Sequence, residues 1–110
     1  EAFRSTVSGF HLDDDATRLR IRHIHKTSGY VCDPHGAIGH QALDTALNED
    51  PEALGVFLHT AAPCKFGDVV KPEIGTDPNM PDRLKAIIDR PKQAVNISAT
   101  YTALKEYLLS

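Results

Sequence analysis

The stretch that decides the fold is GVFLHTAAPCKF, residues 55–66. Its first four residues form an apolar run that is typical of a short buried strand, and Pro63 is a favoured residue for the first turn of a helix. Ligands of α/β proteins bind at the carboxyl end of such a strand. Four side chains at this predicted strand end carry polar or reactive groups: His59, Thr60, Cys64 and Lys65.

A similar strand-to-helix junction lies earlier, at YVCDPHG, residues 30–36. The first three of these residues predict a short strand, and Asp33 predicts an N-cap with Pro34 at the first helical position. The apolar spacing over residues 37–47 predicts about three turns of helix. For Asp33 and His35 taken singly, a capping carboxylate and a surface imidazole are the simpler interpretation.

The chain before this junction predicts a strand followed by a helix. Phe3–Phe10 is typical of a strand that is already under way where the sequence begins. One of the aspartates at 13–15 caps a helix from about Ala16 to Lys26, and Gly29 ends it. We expect three side chains of this helix to face a core and three to face outward: Leu19, Ile21 and Ile24 inward, Arg18, Arg20 and Arg22 outward.

Three more helices are predicted in the second half, beginning at Pro63, at Pro81 or Asp82, and after Ser98 or Thr100. The alternation of strands and helices indicates the α/β class. The strands are few and short for 110 residues, and a sheet of two or three short strands leaves apolar edges uncovered. We therefore expect a part of a larger α/β domain, or an element that docks on a partner.

Composition and charge narrow the classes of partner. The chain of 110 residues has 12 Lys and Arg against 15 Asp and Glu, a net charge of −3. This lack of a positive footprint argues against nucleic acid or an anionic membrane as partner, and no apolar run is long enough to span a bilayer. Cys32 and Cys64 lie far apart and outside any C-x-x-C pair, so a reducing cytoplasm is the expected compartment.

Metal and thiol chemistry receive little support from the spacing of the candidate residues. The pairs His23/His25 and His35/His40 are two and five residues apart, spacings that suit chelation from a helix poorly. A nucleophile and base formed by Cys64 and His59 lacks an evident third group to orient the imidazole. We therefore expect no metal site and regard a cysteine hydrolase as the weakest alternative.

Two motifs together resemble threonine synthase. Residues 30–39, YVCDPHGAIG, resemble that family's G-Y-x-x-D-P-H-(G/T)-A-(V/I)-G, and residues 60–66, TAAPCKF, are similar to its T-A-H-P-A-K-F. Their order and separation are also similar, as are the segments at 80–84 and 90–93. The resemblance covers nearly all of residues 1–110 and corresponds to about the C-terminal quarter of the family's length.

The resemblance implies a pyridoxal-phosphate enzyme of the tryptophan-synthase-β-like fold, of whose three-layer domain this chain is the C-terminal segment. Such an enzyme converts O-phospho-L-homoserine and water to L-threonine and phosphate. Its Schiff-base lysine and glycine-rich phosphate loop lie upstream of the matched segment, so Lys65 is not that lysine and no catalytic residue is expected here. The segment alone is expected to be inactive, to need the missing N-terminal part of the same chain, and to self-associate.

By the same resemblance, Thr60 is the cofactor-binding residue, with its hydroxyl beside the pyridine nitrogen. A neutral hydroxyl does not force protonation of that nitrogen as a carboxylate would, so it tunes the cofactor differently. Ala62 and Cys64 depart from the family's histidine and alanine. Asp33 and His35 match the D-P-H motif and are expected to shape the helix start rather than to react.

A stand-alone α/β binding or interaction module without catalysis is the main alternative. The two interpretations predict different surfaces. A segment of a larger enzyme leaves an apolar face uncovered, whereas an independent module closes its own core.

Overall fold

The structure, a computed structural model, describes residues 6–110, and its regular elements in that range are helical. A short 3₁₀ helix, Pro63–Phe66, separates the second and third α-helices. The α-helices in chain order are α1 (Asp14–Ser28), α2 (Pro34–Glu49), α3 (Gly67–Ile74), α4 (Asp82–Ile88) and α5 (Tyr101–Leu109).

Helix α1 begins and ends on the capping residues that the sequence indicates. The Asp13 carboxylate accepts a hydrogen bond from the Ala16 N–H at 2.8 Å, which satisfies one free donor of the first turn. Gly29 adopts a left-handed conformation with φ of 72°, which glycine reaches without the steric cost that a Cβ imposes. The predicted helix is confirmed and extends two residues further at each end.

The core lies where α1 packs against α2 and α3. Ile21 and Ile24 are buried as predicted, but Leu19 is 59% exposed, so its predicted inward orientation is wrong. The buried stripe of α1 runs through Thr17, Ile21 and Ile24, a spacing of four and three residues that excludes Leu19. The buried apolar cluster consists of Ile21, Ile24, Cys32, Ala37 and Val70.

The arginines of α1 tie it to its two neighbours. Arg20 turns toward α2, where its guanidinium donates to His40 Nδ1 at 2.6 Å and pairs with the Asp44 carboxylate. Arg22 pairs with the largely buried Glu73 carboxylate of α3 at 2.7 Å. The prediction that Arg20 faces outward is wrong, because its guanidinium reaches polar partners on α2.

The predicted strands do not form among residues 6–110. The segments at 30–32 and 55–58 carry no ladder hydrogen bonds, so short strands alternating with helices are not the architecture of residues 6–110. A short apolar run predicts a buried strand, but a strand also needs a neighbouring strand to pair with. The predicted N-terminal strand likewise lacks ladder bonds over residues 6–10, and its residues 3–5 lie outside the described part.

Residues 54–60 nevertheless alternate in the side to which they face, as consecutive residues of an extended chain do. Odd positions face α2: a Cβ added at Gly55 would meet Leu43, and the Phe57 ring lies 5.5 Å from that of His40. Even positions face away from α2 and are exposed: Leu54 by 99%, Val56 by 85% and Leu58 by 79%. One face of this segment, hereafter the 54–58 face, is therefore apolar and bare.

Helices α4 and α5 form as predicted but pack little against the rest. Neither contains a buried residue, and the Cα radius of gyration is 18.9 Å, against about 13 Å for a compact domain of this length. Within the described range no helix combines the length and apolarity needed to cross a membrane. The exposed apolar side chains of these two helices are Ile87, Ile88, Tyr101, Leu104, Tyr107, Leu108 and Leu109.

Candidate functional site

The two strand-to-helix junctions of the sequence meet at Asp33. This residue is the N-cap of α2, and its Oδ1 accepts a hydrogen bond from the Gly36 N–H at 3.0 Å. Its side chain is fully buried. A buried carboxylate is costly unless hydrogen bonds or opposite charges stabilise its oxygens, and two histidines contact those oxygens.

One histidine from each junction contacts the Asp33 carboxylate. His35 Nδ1 lies 2.8 Å from Oδ2, and His59 Nε2 lies 2.9 Å from Oδ1. The backbone N–H of Asp33 donates a hydrogen bond to His59 Nε2 at 3.4 Å, whereas the shorter distance from that nitrogen to the carboxylate is an ion-pair contact. His35 therefore donates to the Asp33 carboxylate, and His59 lies against both the carboxylate and the backbone N–H of the same residue.

The Tyr30 hydroxyl completes the arrangement from the other side of His59. It lies 2.8 Å from His59 Nδ1, and the two rings meet edge to face with centroids 5.7 Å apart. With Nε2 accepting from the Asp33 N–H, a neutral His59 carries its proton on Nδ1 and donates it to the tyrosine oxygen. Tyr30, His59, Asp33 and His35 thus form one hydrogen-bonded chain, hereafter the Asp33 cluster.

The environment of Asp33 keeps its carboxylate charged. Burial on its own raises the pKa of the carboxyl group, but hydrogen bonds from His35 and from the Gly36 N–H, together with the positive charge that His59 can carry, outweigh it. The net pKa lies below its usual value. The cluster is therefore organised around an anion that the N-terminus of α2 and two imidazoles stabilise.

Gly36 leaves room for the His59 ring and for nothing larger. A Cβ at this position would lie 2.9 Å from His59 Cδ2 and 3.0 Å from Asp33 Oδ1. Both distances are shorter than ordinary van der Waals contact. The close approach of the ring to the first turn of α2 therefore depends on glycine there.

Thr60 directly follows His59 and is exposed. Its hydroxyl makes no hydrogen bond within residues 6–110, and by the period of the segment its side chain shares the 54–58 face. Lys65 is exposed and Cys64 half-buried in the 3₁₀ helix. Of the four polar side chains predicted at this junction, the structure brings His59 alone into the Asp33 cluster.

The cysteine hydrolase alternative fails on the contacts of His59. Both ring nitrogens are taken, one by Asp33 and the other by Tyr30, so neither is free to receive the Cys64 proton. The buried thiol of Cys32 is no better a candidate, because burial, reinforced by the neighbouring Asp33 charge, raises its pKa to about 11. No cluster of ligands that could hold a metal occurs in the described residues.

Sequence reasoning missed the pairing of Tyr30 with His59 and the role of His59 at Asp33. The signal that could have found it is the period of two that places His59 on the same side as Phe57, facing α2. Local spacing instead pairs His59 with Cys64, which lies in the same stretch of sequence. Contacts between residues 26 apart, as Asp33 and His59 are, leave no mark in local spacing.

Comparison with known proteins gives one consistent result. A family model described as the C-terminal region of threonine synthase matches residues 36–108. The threonine synthase of Escherichia coli strain K12 is 33% identical over 99 residues, which cover 90% of this chain and 22% of the relative. That of Corynebacterium glutamicum is 31% identical over 99 residues, covering 90% of this chain and 20% of the relative.

Solved structures agree with the sequence matches. The crystal structure of threonine synthase from Escherichia coli superposes with a TM-score of 0.79 at 33% identity, covering 89% of this chain and 22% of that one. The pyridoxal-phosphate-bound threonine synthase from Brucella melitensis gives a TM-score of 0.69 at 32% identity, covering 97% and 23%. The chain thus spans about a fifth of the length of the relatives that it matches.

Proposed function

Because this chain belongs to the threonine synthase family, as the match over residues 36–108 shows, we propose that it forms the C-terminal part of a pyridoxal-phosphate-dependent threonine synthase. The complete enzyme converts O-phospho-L-homoserine and water to L-threonine and phosphate, in the cytoplasm. The lysine that binds the cofactor covalently comes from the part of the enzyme that these residues do not include. Alone, residues 1–110 are inactive.

Thr60 is the residue of this chain that contacts the cofactor in the proposed enzyme. Its hydroxyl fits this role because it is exposed and free of protein partners in the described residues. A hydroxyl can donate to or accept from a ring nitrogen. Pyridoxal phosphate supplies an electron sink for carbanion chemistry, and the partner of its ring nitrogen tunes that capacity.

The remainder of the enzyme covers the bare apolar surfaces in this proposal. The 54–58 face and the exposed sides of α4 and α5 carry large apolar side chains that are open to solvent, and contiguous apolar surface of this kind marks an interaction site. The period-two segment at residues 54–60 pairs with strands of the remainder, which restores the α/β layering of a tryptophan-synthase-β-like domain. Without the remainder, the same surfaces drive self-association of the chain.

The alternative of an independent binding module is less favoured. An independent module closes its own core, whereas here the buried apolar cluster is small and two of five α-helices contribute nothing to it. The sequence match also extends through α4 and most of α5, to residue 108. Both observations support a segment that is completed by more chain.

The test compares Thr60→Val with Thr60→Ser in the complete protein that carries this chain. Valine keeps the shape of threonine and removes the hydroxyl, whereas serine keeps the hydroxyl. We expect Thr60→Val to lower turnover about 100-fold, a size typical of losing one polar group at a reacting centre, and to shift the cofactor absorbance. Thr60→Ser is expected to retain turnover within about fivefold. Unchanged turnover and absorbance in Thr60→Val would overturn the assignment of Thr60.

A further inference from the structure

We propose that His59 is a positioning residue that aims the Thr60 hydroxyl at the cofactor, with the buried Asp33 carboxylate as its anchor. This inference rests on the proposed role of Thr60. His59 itself touches neither cofactor nor substrate; it acts through the backbone that it shares with Thr60. The Asp33 cluster is then a support for the cofactor-binding hydroxyl rather than a second reactive site.

The geometry of the segment links the two side chains. Consecutive side chains of an extended backbone point to opposite sides. His59 points inward and is held there, with Nε2 2.9 Å from Asp33 Oδ1. Thr60 is therefore turned outward, and any rotation of the segment that released His59 would also swing the Thr60 hydroxyl away.

The anchor at Asp33 is itself immobilised by its place in the fold. Its backbone carbonyl accepts from the Ala37 N–H at 3.0 Å, and its side chain caps the same helix through the Gly36 N–H. The side chain is fully buried, so moving it would leave a charge without partners. Asp33 thus fixes the position of residue 59 relative to helix α2.

The ring of His59 is fixed in orientation as well as in place. Its two nitrogens face different partners: Nε2 faces Asp33, whose backbone N–H donates to it, and Nδ1 lies 2.8 Å from the Tyr30 hydroxyl. A ring flip would place carbon atoms opposite both of them and forfeit both hydrogen bonds. Gly36 confines the ring on a third side, since even a Cβ there would lie 2.9 Å from Cδ2.

Two substitutions separate the contact with Asp33 from the contact with Tyr30. The terminal amide of glutamine lies about where Nε2 of histidine lies, so His59→Gln keeps a polar group that can accept from the Asp33 N–H or donate to its carboxylate. The amide of asparagine reaches only as far as Nδ1, so His59→Asn keeps a partner for Tyr30 and loses Asp33. If Asp33 is the anchor, glutamine rescues and asparagine does not.

The experiment measures the dissociation constant of pyridoxal phosphate and the cofactor absorbance in the complete protein, for both His59 variants and for Thr60→Val. We expect His59→Asn to weaken cofactor binding about tenfold, the effect of losing one hydrogen-bonded partner, and to shift the absorbance in the same direction as Thr60→Val. His59→Gln is expected to stay within about threefold of the parent. His23→Asn, at an exposed histidine of α1, is the matched control and should change neither quantity.

The outcomes separate this inference from the proposed function. If Thr60→Val changes cofactor binding and absorbance while both His59 variants leave them unchanged, the positioning role is wrong and the role of Thr60 stands. If Thr60→Val itself has no effect, the proposed function of that residue fails, and this inference with it. If His59→Asn does not fold, two other variants provide the test: Asp33→Asn, which keeps the cap, and Tyr30→Phe. We expect Asp33→Asn to weaken cofactor binding more than Tyr30→Phe does. The reverse order would overturn the assignment of Asp33 as anchor.

Discussion

The Asp33 carboxylate holds the His59 imidazole at 2.9 Å and thereby joins the two junctions that carry the family motifs. Asp33 begins α2, and His59 lies near the end of the extended segment that leads to α3. The contact is buried on the Asp33 side and confined by Gly36. It is the point at which the helical core of this chain fixes the position of its proposed cofactor residue.

Removing the Asp33 side chain should destabilise the chain. Asp33→Ala deletes the cap of α2 and removes the carboxylate that two imidazoles contact, so we expect a loss of about 2–3 kcal/mol in the free energy of unfolding. Asp33→Asn retains an oxygen for the Gly36 N–H and should cost about 1 kcal/mol. Urea denaturation followed by circular dichroism measures both values. Equal stability of the alanine and asparagine variants would contradict the capping role.

The lowered pKa of Asp33 predicts a specific pH dependence. A carboxyl group whose pKa is lower in the folded than in the unfolded state adds stability that is fully present above its unfolded pKa, about 3.9. That stability is lost as the pH falls through the folded pKa. The parent should therefore lose stability below about pH 4 more steeply than Asp33→Asn. Parallel curves of unfolding free energy against pH for the two proteins would show that Asp33 contributes no such term.

Two glycines of α2 should respond to alanine in opposite ways. Gly36→Ala puts a Cβ 2.9 Å from the His59 ring, and we expect it to cost about 1–3 kcal/mol because neither ring nor helix can move freely. Gly39→Ala meets Phe57 at 3.6 Å, an ordinary contact, and should stabilise the helix by about 0.5–1 kcal/mol. Thermal unfolding of the two variants gives the comparison, and a stabilised Gly36→Ala would mean that the ring does not lie against this turn.

The two cysteines should differ sharply in reactivity. Cys32 is fully buried with a pKa of about 11, so at pH 8 almost none of it is the reactive thiolate. Cys64 is half-buried and free. Iodoacetamide should therefore label Cys64 first in the native protein and reach Cys32 only on unfolding, as mass spectrometry of peptides can follow. Cys64→Ala should abolish the early labelling, whereas rapid labelling of Cys32 in the native state would contradict its burial.

Local sequence signals predicted the helices well because caps and turns depend on neighbours in sequence. Asp13 and Gly29 mark the ends of α1, and Asp33 with Pro34 marks the start of α2. Each of these residues acts on backbone groups within four positions of itself. Their effect is therefore readable from spacing alone.

The contacts between distant segments could not be predicted in the same way. Helical periodicity predicts that Arg20 faces outward, yet it pairs with Asp44 across the interface of α1 and α2. Local spacing pairs His59 with Cys64, yet its partners are Tyr30 and Asp33. Periodicity says which side of an element is apolar, but it does not say what a long polar side chain at the boundary will reach.

The expectation of strands failed for a related physical reason. Residues 54–60 have the alternation of a strand and the contacts of one on the side that faces α2. A strand is defined by backbone hydrogen bonds to a second strand, and residues 6–110 supply none. The apolar residues of this segment therefore indicate that it is suited to a buried position in a sheet. The 54–58 face lacks the neighbouring chain that would bury it.

The most direct test of the central claim is an assay of the complete purified protein that carries this chain. O-phospho-L-homoserine is supplied with and without pyridoxal phosphate, and both L-threonine and free phosphate are measured. We expect L-threonine and phosphate to appear in equal amounts and only when the cofactor is present. We also expect Thr60→Val to reduce both products together. Folded, cofactor-loaded protein that releases no threonine, or that releases phosphate without forming threonine, would contradict the central claim.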